Sequence, residues 1–217
     1  MTPNEMLKYV DHTQLKAFAT WEDIKKLCDE ALEYETASVC IPPAYIEKVK
    51  AEYGEKINIC TVIGFPLGYS TTKTKIFETK DAISKGAKEI DMVINITDVK
   101  NQQFDKILNE IKLIKEAAGN LILKVIIETC YLTEEEKIKM CEIVTKSGAD
   151  FIKTSTGFGT GGATFDDIEL FKNNIGKNVK MKAAGGVSTI DDLEKFITLG
   201  CERVGTSRAV GLVTKKE

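Results

Sequence analysis

The sequence has little of what metal centres, secreted proteins and membrane proteins require. His12 is the only histidine among 217 residues, whereas transition-metal sites generally use several imidazole ligands. No apolar run approaches the roughly 20 residues that a membrane span needs. Residues 1–5 have neither the basic region nor the apolar region of a signal peptide. We therefore expect a soluble, cytoplasmic protein without a catalytic metal.

Paired cysteines and an excess of positive charge are also missing. Six cysteines, at positions 28, 40, 60, 130, 141 and 201, lie far apart and lack C-x-x-C spacing, so we interpret them as reduced residues of the core. The formal net charge of −3 provides no overall attraction to nucleic acid or to an anionic membrane. We expect neither as a partner, although a local basic patch could still bind a phosphate group.

The sequence does contain a regular alternation of apolar strands with amphipathic helices. A short extra helix is predicted first, because Thr2, Pro3 and Glu5 stand where an N-cap, an N1 proline and an N3 glutamate belong. Strict βα alternation predicts a parallel sheet, and eight units with short connections favour an α/β fold with one (β/α)8 TIM barrel over residues 1–217. The helix before the fifth strand is predicted over residues 101–118. The predicted strands are residues 9–12, 37–41, 57–63, 89–94, 121–128, 151–154, 179–183 and 203–205.

A weak internal repeat supports this count of units. Segments 86–91, 148–153 and 200–205 each begin with a glycine that closes a helix, followed by a small residue and a short strand. The last position of each segment, where the strand should pass into its loop, holds Asp91, Lys153 or Gly205. In this barrel the C-terminal strand ends form the active-site face, so we expect these residues at the site.

Side-chain alternation along the fifth strand tests the barrel independently. Leu123 and Val125 should face the helices, which leaves Lys124 facing the interior. Charged residues of other strands should face the same interior, where acids and lysines would partly compensate one another. The predicted set is Asp11, Asp91, Lys124, Lys153 and Lys182.

Two lysines at adjacent strand ends indicate amine chemistry. A lysine with an ordinary pKa of about 10.4 is protonated at neutral pH and is no nucleophile. A second ammonium about 4 Å away costs the charged form roughly 4 kcal/mol at an effective dielectric of about 20, enough to lower a pKa by about three. Such an amine can form a Schiff base with a carbonyl, and an acid such as Asp91 can then move protons. From spacing alone, an inert salt-bridge cluster of Lys153, Lys182 and Asp91 is the alternative.

Glycine-rich loops follow the last three predicted strands. Backbone N–H groups in residues 157–162, 185–186 and 205–208 could bind an anion, and the loops after strands seven and eight are the usual phosphate site of this barrel. The alternative is that the glycines only form tight turns. The first loop also fits G-x-G-x-x-G, but no acid stands about 20 residues on to hold a ribose, so we expect no dinucleotide.

Other polar residues near the strand ends are expected to have structural or pocket-lining roles. His12 is expected to be hydrogen-bonded rather than catalytic, and Cys40 could line the pocket but has no paired base. Lys124 should pair with a carboxylate, and Lys180 should be solvated at the far end of the barrel. Asp11 and Lys124 are grouped with Cys40 as pocket-lining residues.

Taken in order, these motifs resemble those of the deoxyribose-phosphate aldolase family, whose members are class I aldolases of (β/α)8 fold. The resemblance spans nearly the whole chain and is therefore far more specific than any one motif. It rests on segments 11–16, 38–41, 63–68, 89–95, 124–129, 151–158 and 182–187.

The resemblance implies reversible cleavage of 2-deoxy-D-ribose 5-phosphate to acetaldehyde and D-glyceraldehyde 3-phosphate, without metal or organic cofactor, in deoxyribonucleoside breakdown. It assigns Lys153 to the Schiff base, Lys182 to lowering the pKa of that amine and relaying protons, and Asp91 to proton transfer. Several members are dimers, so a homodimer is a further expectation.

The same resemblance assigns the phosphate contacts. Arg208 stands where many relatives have a second serine, and it could add a charged contact or point to solvent. The contacts carried over from the family are Gly185, Gly186, Gly205 and Ser207.

Two other functions are open at this stage. One is a different Schiff-base enzyme on the same barrel, such as a transaldolase-like or keto-acid aldolase, which needs a larger donor pocket over Lys153. The other is a non-catalytic barrel that binds phosphorylated metabolites and uses its lysines only to neutralise charge.

Overall fold

Eight parallel strands close into a barrel in the computed structural model, which describes residues 1–214. Each strand pairs with the next along the chain and the first pairs with the last, which confirms the predicted (β/α)8 fold. Residues 215–217 of the predicted domain lie outside the described residues. The strands are β1 (Val10–Thr13), β2 (Ser38–Ile41), β3 (Ile59–Ile63), β4 (Glu89–Val93), β5 (Ile122–Ile126), β6 (Phe151–Lys153), β7 (Lys180–Ala184) and β8 (Cys201–Thr206).

Helices connect successive strands, and the predicted short helix precedes β1. Capping boxes with an acidic N3 residue begin four of the helices, at Thr2, Thr20, Thr133 and Thr189. The helices are α1 (Pro3–Leu7), α2 (Trp21–Glu33), α3 (Ile46–Tyr53), α4 (Thr72–Lys85), α5 (Ile96–Lys100), α6 (Phe104–Ala118), α7 (Glu134–Ser147), α8 (Phe165–Asn174), α9 (Ile190–Leu199) and α10 (Ala209–Thr214). Within residues 1–214, none of them combines the length and the apolar character that crossing a bilayer would require.

The helix predicted over residues 101–118 is wrong in its first part. α5 ends at Lys100 and α6 begins only at Phe104, with Gln102 between them at a φ of +56°, a left-handed conformation that ends a helix. The side chain of Asn95 accepts a hydrogen bond from the Thr97 N–H at 3.1 Å and so begins α5. The sequence analysis missed this helix because five residues are too few to show an amphipathic pattern.

Side chains alternate along the strands between two buried regions, an apolar layer beneath the helices and the inside of the barrel. Leu123 and Val125 are buried in the apolar core between strands and helices. Lys124, between them, is fully buried inside the barrel, where its Nζ lies 3.0 Å from Oδ1 of Asp91 on β4. The inside of the barrel is therefore charged, as predicted, and the candidate site is built there.

Candidate active site

The three residues predicted to do the chemistry are in direct contact. Lys153 ends β6, as the repeat predicts, whereas Asp91 lies in the middle of β4 and Gly205 is the last but one residue of β8. Lys153 is paired with Lys182 in the register of β6 and β7. Each lysine Nζ lies 2.7 Å from the same oxygen, Oδ2 of Asp91. One carboxylate oxygen therefore holds both ammonium groups side by side.

Further charged residues extend this contact into an ionic cluster. Lys124 Nζ lies 3.0 Å from Asp91 Oδ1 and 2.5 Å from Glu89 Oε2. Arg203 on β8 contacts Glu89 through Nη2 and Asp11 through Nε, both at 3.1 Å. Because Glu89 lies on β4 and Arg203 on β8, the cluster ties opposite parts of the barrel wall together.

The charges of this cluster are unequal in number. Asp11 also pairs with Lys182, and its Oδ1 accepts a hydrogen bond from the Ser38 hydroxyl at 2.8 Å. With every group ionised, three carboxylates face four cations, so loss of a single proton would make the cluster neutral. The members are Asp11, Glu89, Asp91, Lys124, Lys153, Lys182 and Arg203.

Burial and neighbouring charges act in opposite directions on these groups. Burial would raise the pKa of Asp91, but Lys124, Lys153 and Lys182 outweigh it and hold that pKa well below its usual value. Burial would likewise lower the pKa of Lys182, but the carboxylates of Asp11 and Asp91 raise it above its ordinary value. At neutral pH, Asp91 is therefore a carboxylate and Lys182 an ammonium.

A cavity of about 540 Å³ opens beside Lys153 at the C-terminal ends of the strands, and this volume is typical of small-molecule sites. Lys153 lines the cavity, whereas Asp91 and Lys182 are fully buried behind it. The structure brings all four predicted phosphate contacts to the same cavity, namely Gly185, Gly186, Gly205 and Ser207.

Glycines in this wall have conformations that other residues rarely adopt. Gly185 and Gly186 have φ angles of +74° and +77°, in the left-handed region that favours glycine. A Cβ added to Gly162 would lie 2.5 Å from the carbonyl carbon of Gly185. The loops after β6 and β7 therefore pack backbone to backbone, which brings main-chain groups to the cavity without intervening side chains.

The residues predicted to line the pocket lie beneath it. Asp11, Cys40 and Lys124 are almost completely buried and do not line the cavity. Asp11 and Lys124 belong to the ionic cluster, and Cys40 lies in a small apolar cluster with Cys60 and Val62. Alternation predicted the correct face of the barrel for the two charged residues, but their depth depends on the tilt of the strands.

Expectations for several single residues are confirmed. His12 Nε2 lies 2.7 Å from Glu30 Oε2, and exposed Lys180 pairs with Glu202 at 2.7 Å. All six cysteines are free. Cys130 departs from the prediction, since it is only half-buried while the other five are buried in the described fold.

Sequence reasoning missed Glu89 and Arg203, and an available signal could have found both. Glu89 stands two positions before Asp91, and Arg203 two positions before Gly205. Residues two apart on a strand face the same side. The inward face assigned to Asp91 and Gly205 therefore implied an inward face for their charged neighbours.

Glu128, which alternation places on the inward face with Lys124 but to which the sequence analysis gave no role, holds the loop that follows Lys153. It is buried and has a φ of +51°, a conformation that costs a non-glycine residue about 1–3 kcal/mol. Its Oε1 accepts a hydrogen bond from the Thr156 N–H at 3.1 Å, and its Oε2 accepts one from the Thr156 hydroxyl. Since Thr156 lines the cavity, Glu128 fixes part of the cavity wall. No local sequence pattern predicts this contact.

Two groups of side chains bring possible metal ligands within 4.8 Å of one another. They are Cys40 with Cys60 and Asp91, and Asp11 with Cys60 and Glu89. Each carboxylate in them is already paired with a lysine or an arginine. A metal ion would have to displace those cations, so this donor set fits an ionic cluster better than a metal centre.

Comparisons with known proteins agree with this geometry. The pattern of the DeoC/LacD family of aldolases matches residues 5–214. The deoxyribose-phosphate aldolase of Clostridium botulinum (strain Eklund 17B / Type B) is 67% identical over 217 residues, which are 100% of this chain and 98% of that protein.

Solved structures show the same fold. A provisionally assigned deoxyribose-phosphate aldolase from Coccidioides immitis has a TM-score of 0.94 and 36% identity, and the match covers 99% of this chain and 87% of that one. The deoxyribose phosphate aldolase from Aeropyrum pernix, described as a unique tetramer, has a TM-score of 0.89 and 27% identity over 98% of this chain and 91% of that one. These comparisons confirm the family predicted from the motifs. The chain belongs to the DeoC/LacD family of aldolases.

Proposed function

We propose that this protein cleaves 2-deoxy-D-ribose 5-phosphate reversibly to acetaldehyde and D-glyceraldehyde 3-phosphate, in the breakdown of deoxyribonucleosides. The observation that carries the proposal is the pair of lysines on Asp91 Oδ2, of which only Lys153 reaches the cavity. The names of relatives at 67% identity support the same substrate.

Position supports Lys153 as the reactive amine. Of the four basic side chains in the ionic cluster, Lys153 is the one that lines the cavity. Lys153 is therefore the amine of the cluster that a carbonyl substrate can reach. Lys182 stays protonated, because Asp11 and Asp91 outweigh burial and raise its pKa.

The proposed reaction then follows the chemistry of a lysine Schiff base. Lys153 adds to C1 of the open-chain sugar, and loss of water gives an iminium. The bond between C2 and C3 breaks as its electrons move toward the iminium, the C3 hydroxyl loses a proton, and D-glyceraldehyde 3-phosphate leaves. The enamine takes up a proton at C2, and water then releases acetaldehyde and free Lys153. Asp91 and Lys182, with a water molecule, relay these protons.

An apolar surface that reaches the cavity supports a small aldehyde as the donor. Leu15 and Phe65 pack against the cluster formed by Cys40, Cys60 and Val62, and Leu15 also lines the cavity that holds Lys153. Such a surface suits the methyl carbon of acetaldehyde. The hydroxylated ketone donor of a transaldolase-like enzyme would instead need hydrogen-bond partners there.

The part of the cavity wall formed by the loops after β7 and β8 suits a phosphate ester. We assign the phosphate to the main-chain groups of the loops after β7 and β8, because glycine-rich loops present N–H groups to anions and these loops are the usual phosphate site of the barrel. The proposed contacts are Gly185, Gly186, Gly205 and Ser207.

Borohydride trapping tests this function directly. The protein is incubated with acetaldehyde and sodium borohydride, and its peptides are analysed by mass spectrometry, alongside Lys153→Met and the exposed-strand control Lys180→Met. We expect an ethyl group on Lys153 in the parent and in Lys180→Met, and neither the adduct nor turnover in Lys153→Met. A folded parent without the adduct would contradict the proposal and favour the non-catalytic binding barrel.

Location and assembly are secondary parts of the proposal. We assign the protein to the cytoplasm, since its six free cysteines suit a reducing compartment. We expect a homodimer, and light scattering after size-exclusion chromatography would distinguish it from a monomer or from a tetramer like that described for the Aeropyrum pernix protein.

A further inference from the structure

The charged side chains that line the active-site cavity all have the same sign. They are Lys16, Lys153 and Arg208, and the lining contains no aspartate or glutamate. Lys153 is paired with Asp91 at 2.7 Å. Among residues 1–214, Lys16 and Arg208 form no ion pair, so their charges are available to a ligand.

Hydrogen bonds hold the backbone of Arg208, whereas its side chain has no partner in the part of the chain that the structure describes. Its N–H donates a hydrogen bond to Thr206 Oγ1 at 3.1 Å, and its carbonyl accepts one from the Leu212 N–H at 2.9 Å. Its side chain is exposed, and within residues 1–214 its guanidinium has no hydrogen-bond partner. The backbone therefore fixes Arg208 in the cavity wall, next to Ser207, and leaves its guanidinium donors unused within residues 1–214.

The proposed phosphate contacts on this wall are neutral. Gly186, Gly205 and Ser207 can offer N–H and hydroxyl donors, but they carry no charge. A phosphate monoester carries about −1.5 to −2 charges at pH 7. Arginine matches such a group with paired donors in one plane, so it supplies the charge that the glycine loops lack.

We infer that Arg208 binds the phosphate of the substrate and sets the preference for phosphorylated over unphosphorylated deoxyribose. This inference rests on the proposed function, and it makes Arg208 a specificity-determining residue. Lys153 ends β6 whereas Arg208 follows β8, so the reactive amine and the guanidinium come from different parts of the cavity wall.

A second cavity contains one alternative partner for the side chain of Arg208. This cavity, of about 500 Å³, lies between α2 and α10 and is lined by Lys26, Glu30 and Arg208. Arg208 could pair with Glu30 there, but Lys26 already lies 3.8 Å from that carboxylate, and His12 lies 2.7 Å from it. Glu30 therefore already has two partners, whereas the phosphate of a substrate in the first cavity would still need a cationic partner.

The test compares two substrates in three variants. Steady-state rates are measured with 2-deoxyribose 5-phosphate and with 2-deoxyribose for the parent, Arg208→Ala, Arg208→Lys and the control Lys26→Ala. For Arg208→Ala we expect kcat/KM to fall about 10- to 100-fold with the phosphorylated sugar, mainly through KM, and to change less than about twofold with the unphosphorylated sugar. Arg208→Lys should recover part of the loss, and Lys26→Ala should behave like the parent.

Two outcomes would overturn the inference. Equal losses on both sugars would mean that Arg208 acts on the structure or on the reacting end, and no loss on either would mean that it faces solvent or Glu30. If the parent cleaves neither sugar, the proposed function fails, and the role of Arg208 is judged separately by calorimetric binding of inorganic phosphate. Weaker phosphate binding by Arg208→Ala than by the parent would support an anion site at Arg208, and equal binding would contradict it.

Discussion

Lys153 and Lys182 face each other in the register of β6 and β7, and their ammonium nitrogens lie at equal distances of 2.7 Å from one oxygen of Asp91. The two lysines nevertheless have different surroundings. Lys182 has a second carboxylate partner, Asp11, and no exposed surface, while Lys153 reaches the cavity. Under the proposed function, this difference gives Lys153 access to the substrate as the nucleophile and keeps Lys182 behind it in the proton relay.

Replacing Lys182 by leucine should reduce turnover strongly. The variant removes the ammonium that lies beside Lys153 on Asp91 Oδ2 and with it one member of the proposed proton relay. We expect kcat at neutral pH to fall roughly 10²- to 10⁴-fold, the range that a positioned acid or base contributes. The matched control, Lys180→Leu, alters the exposed end of the same strand and should stay within about twofold of the parent. A parental rate in Lys182→Leu would remove Lys182 from the mechanism.

The stability of the fold should depend on Asp91 at acid pH. Because its folded-state pKa lies well below the ordinary value of 3.8, the stability that its charge contributes is complete above that value and is lost as the pH falls below it. Lys182 and Lys124 have raised pKa values, so their contribution is complete below the ordinary value of 10.5 and is lost only at higher pH. Urea titrations should therefore give a free energy of unfolding that is nearly constant between about pH 5 and pH 9.

The variant Asp91→Asn provides the comparison for this pH dependence. It removes the carboxylate shared by three lysines, so we expect a loss of about 3–5 kcal/mol at neutral pH and a shallower decline below pH 4. Glu169→Gln, an exposed change on α8, should reproduce the parental profile. An equally steep acid decline in Asp91→Asn would assign that decline to other carboxyl groups.

Glu128→Gln should loosen the cavity wall at Thr156. An amide keeps one acceptor oxygen for the Thr156 N–H but replaces the other with a donor, so the hydrogen bond that the Thr156 hydroxyl donates to a carboxylate is lost. We expect the free energy of unfolding to fall by about 1–3 kcal/mol and KM for the phosphorylated sugar to rise. Circular dichroism during urea titration and steady-state kinetics measure the two effects. Unchanged stability with unchanged KM would mean that the loop is held by other contacts.

The two residues of a buried ion pair outside the site should contribute to the stability of the fold in a coupled way. Lys75 is fully buried, and its Nζ lies 2.8 Å from both Glu110 Oε2 and the carbonyl oxygen of Val93. Lys75→Met leaves Glu110 buried and uncompensated, so we expect a loss of about 3–5 kcal/mol. The double variant Lys75→Met with Glu110→Leu should be more stable than Lys75→Met alone. Losses that simply add in a double-mutant cycle would show that the two side chains are not coupled.

Much of the fold and some of the site could be predicted from local patterns. The strand boundaries expected from apolar runs lie within two residues of those observed, because strands buried on both faces have a strong local signal. Lys153 and Lys182 were found because a lysine within an apolar run is unusual. The five-residue helix α5 and the contact of Glu128 with Thr156 were missed, since neither is encoded in a periodic pattern.

The sequence by itself determined the order of the elements, the closed parallel barrel and the inward face of each charged strand residue, because all three follow from alternation and spacing along the chain. Only the tertiary structure decided which charges meet. Asp11 and Lys182 are 171 residues apart, and their contact depends on barrel closure, which brings β1 and β8 together. The tilt of the strands also set the depth of each side chain. That depth placed Lys153 at the cavity and left Asp91, Lys182 and Lys124 buried beneath it.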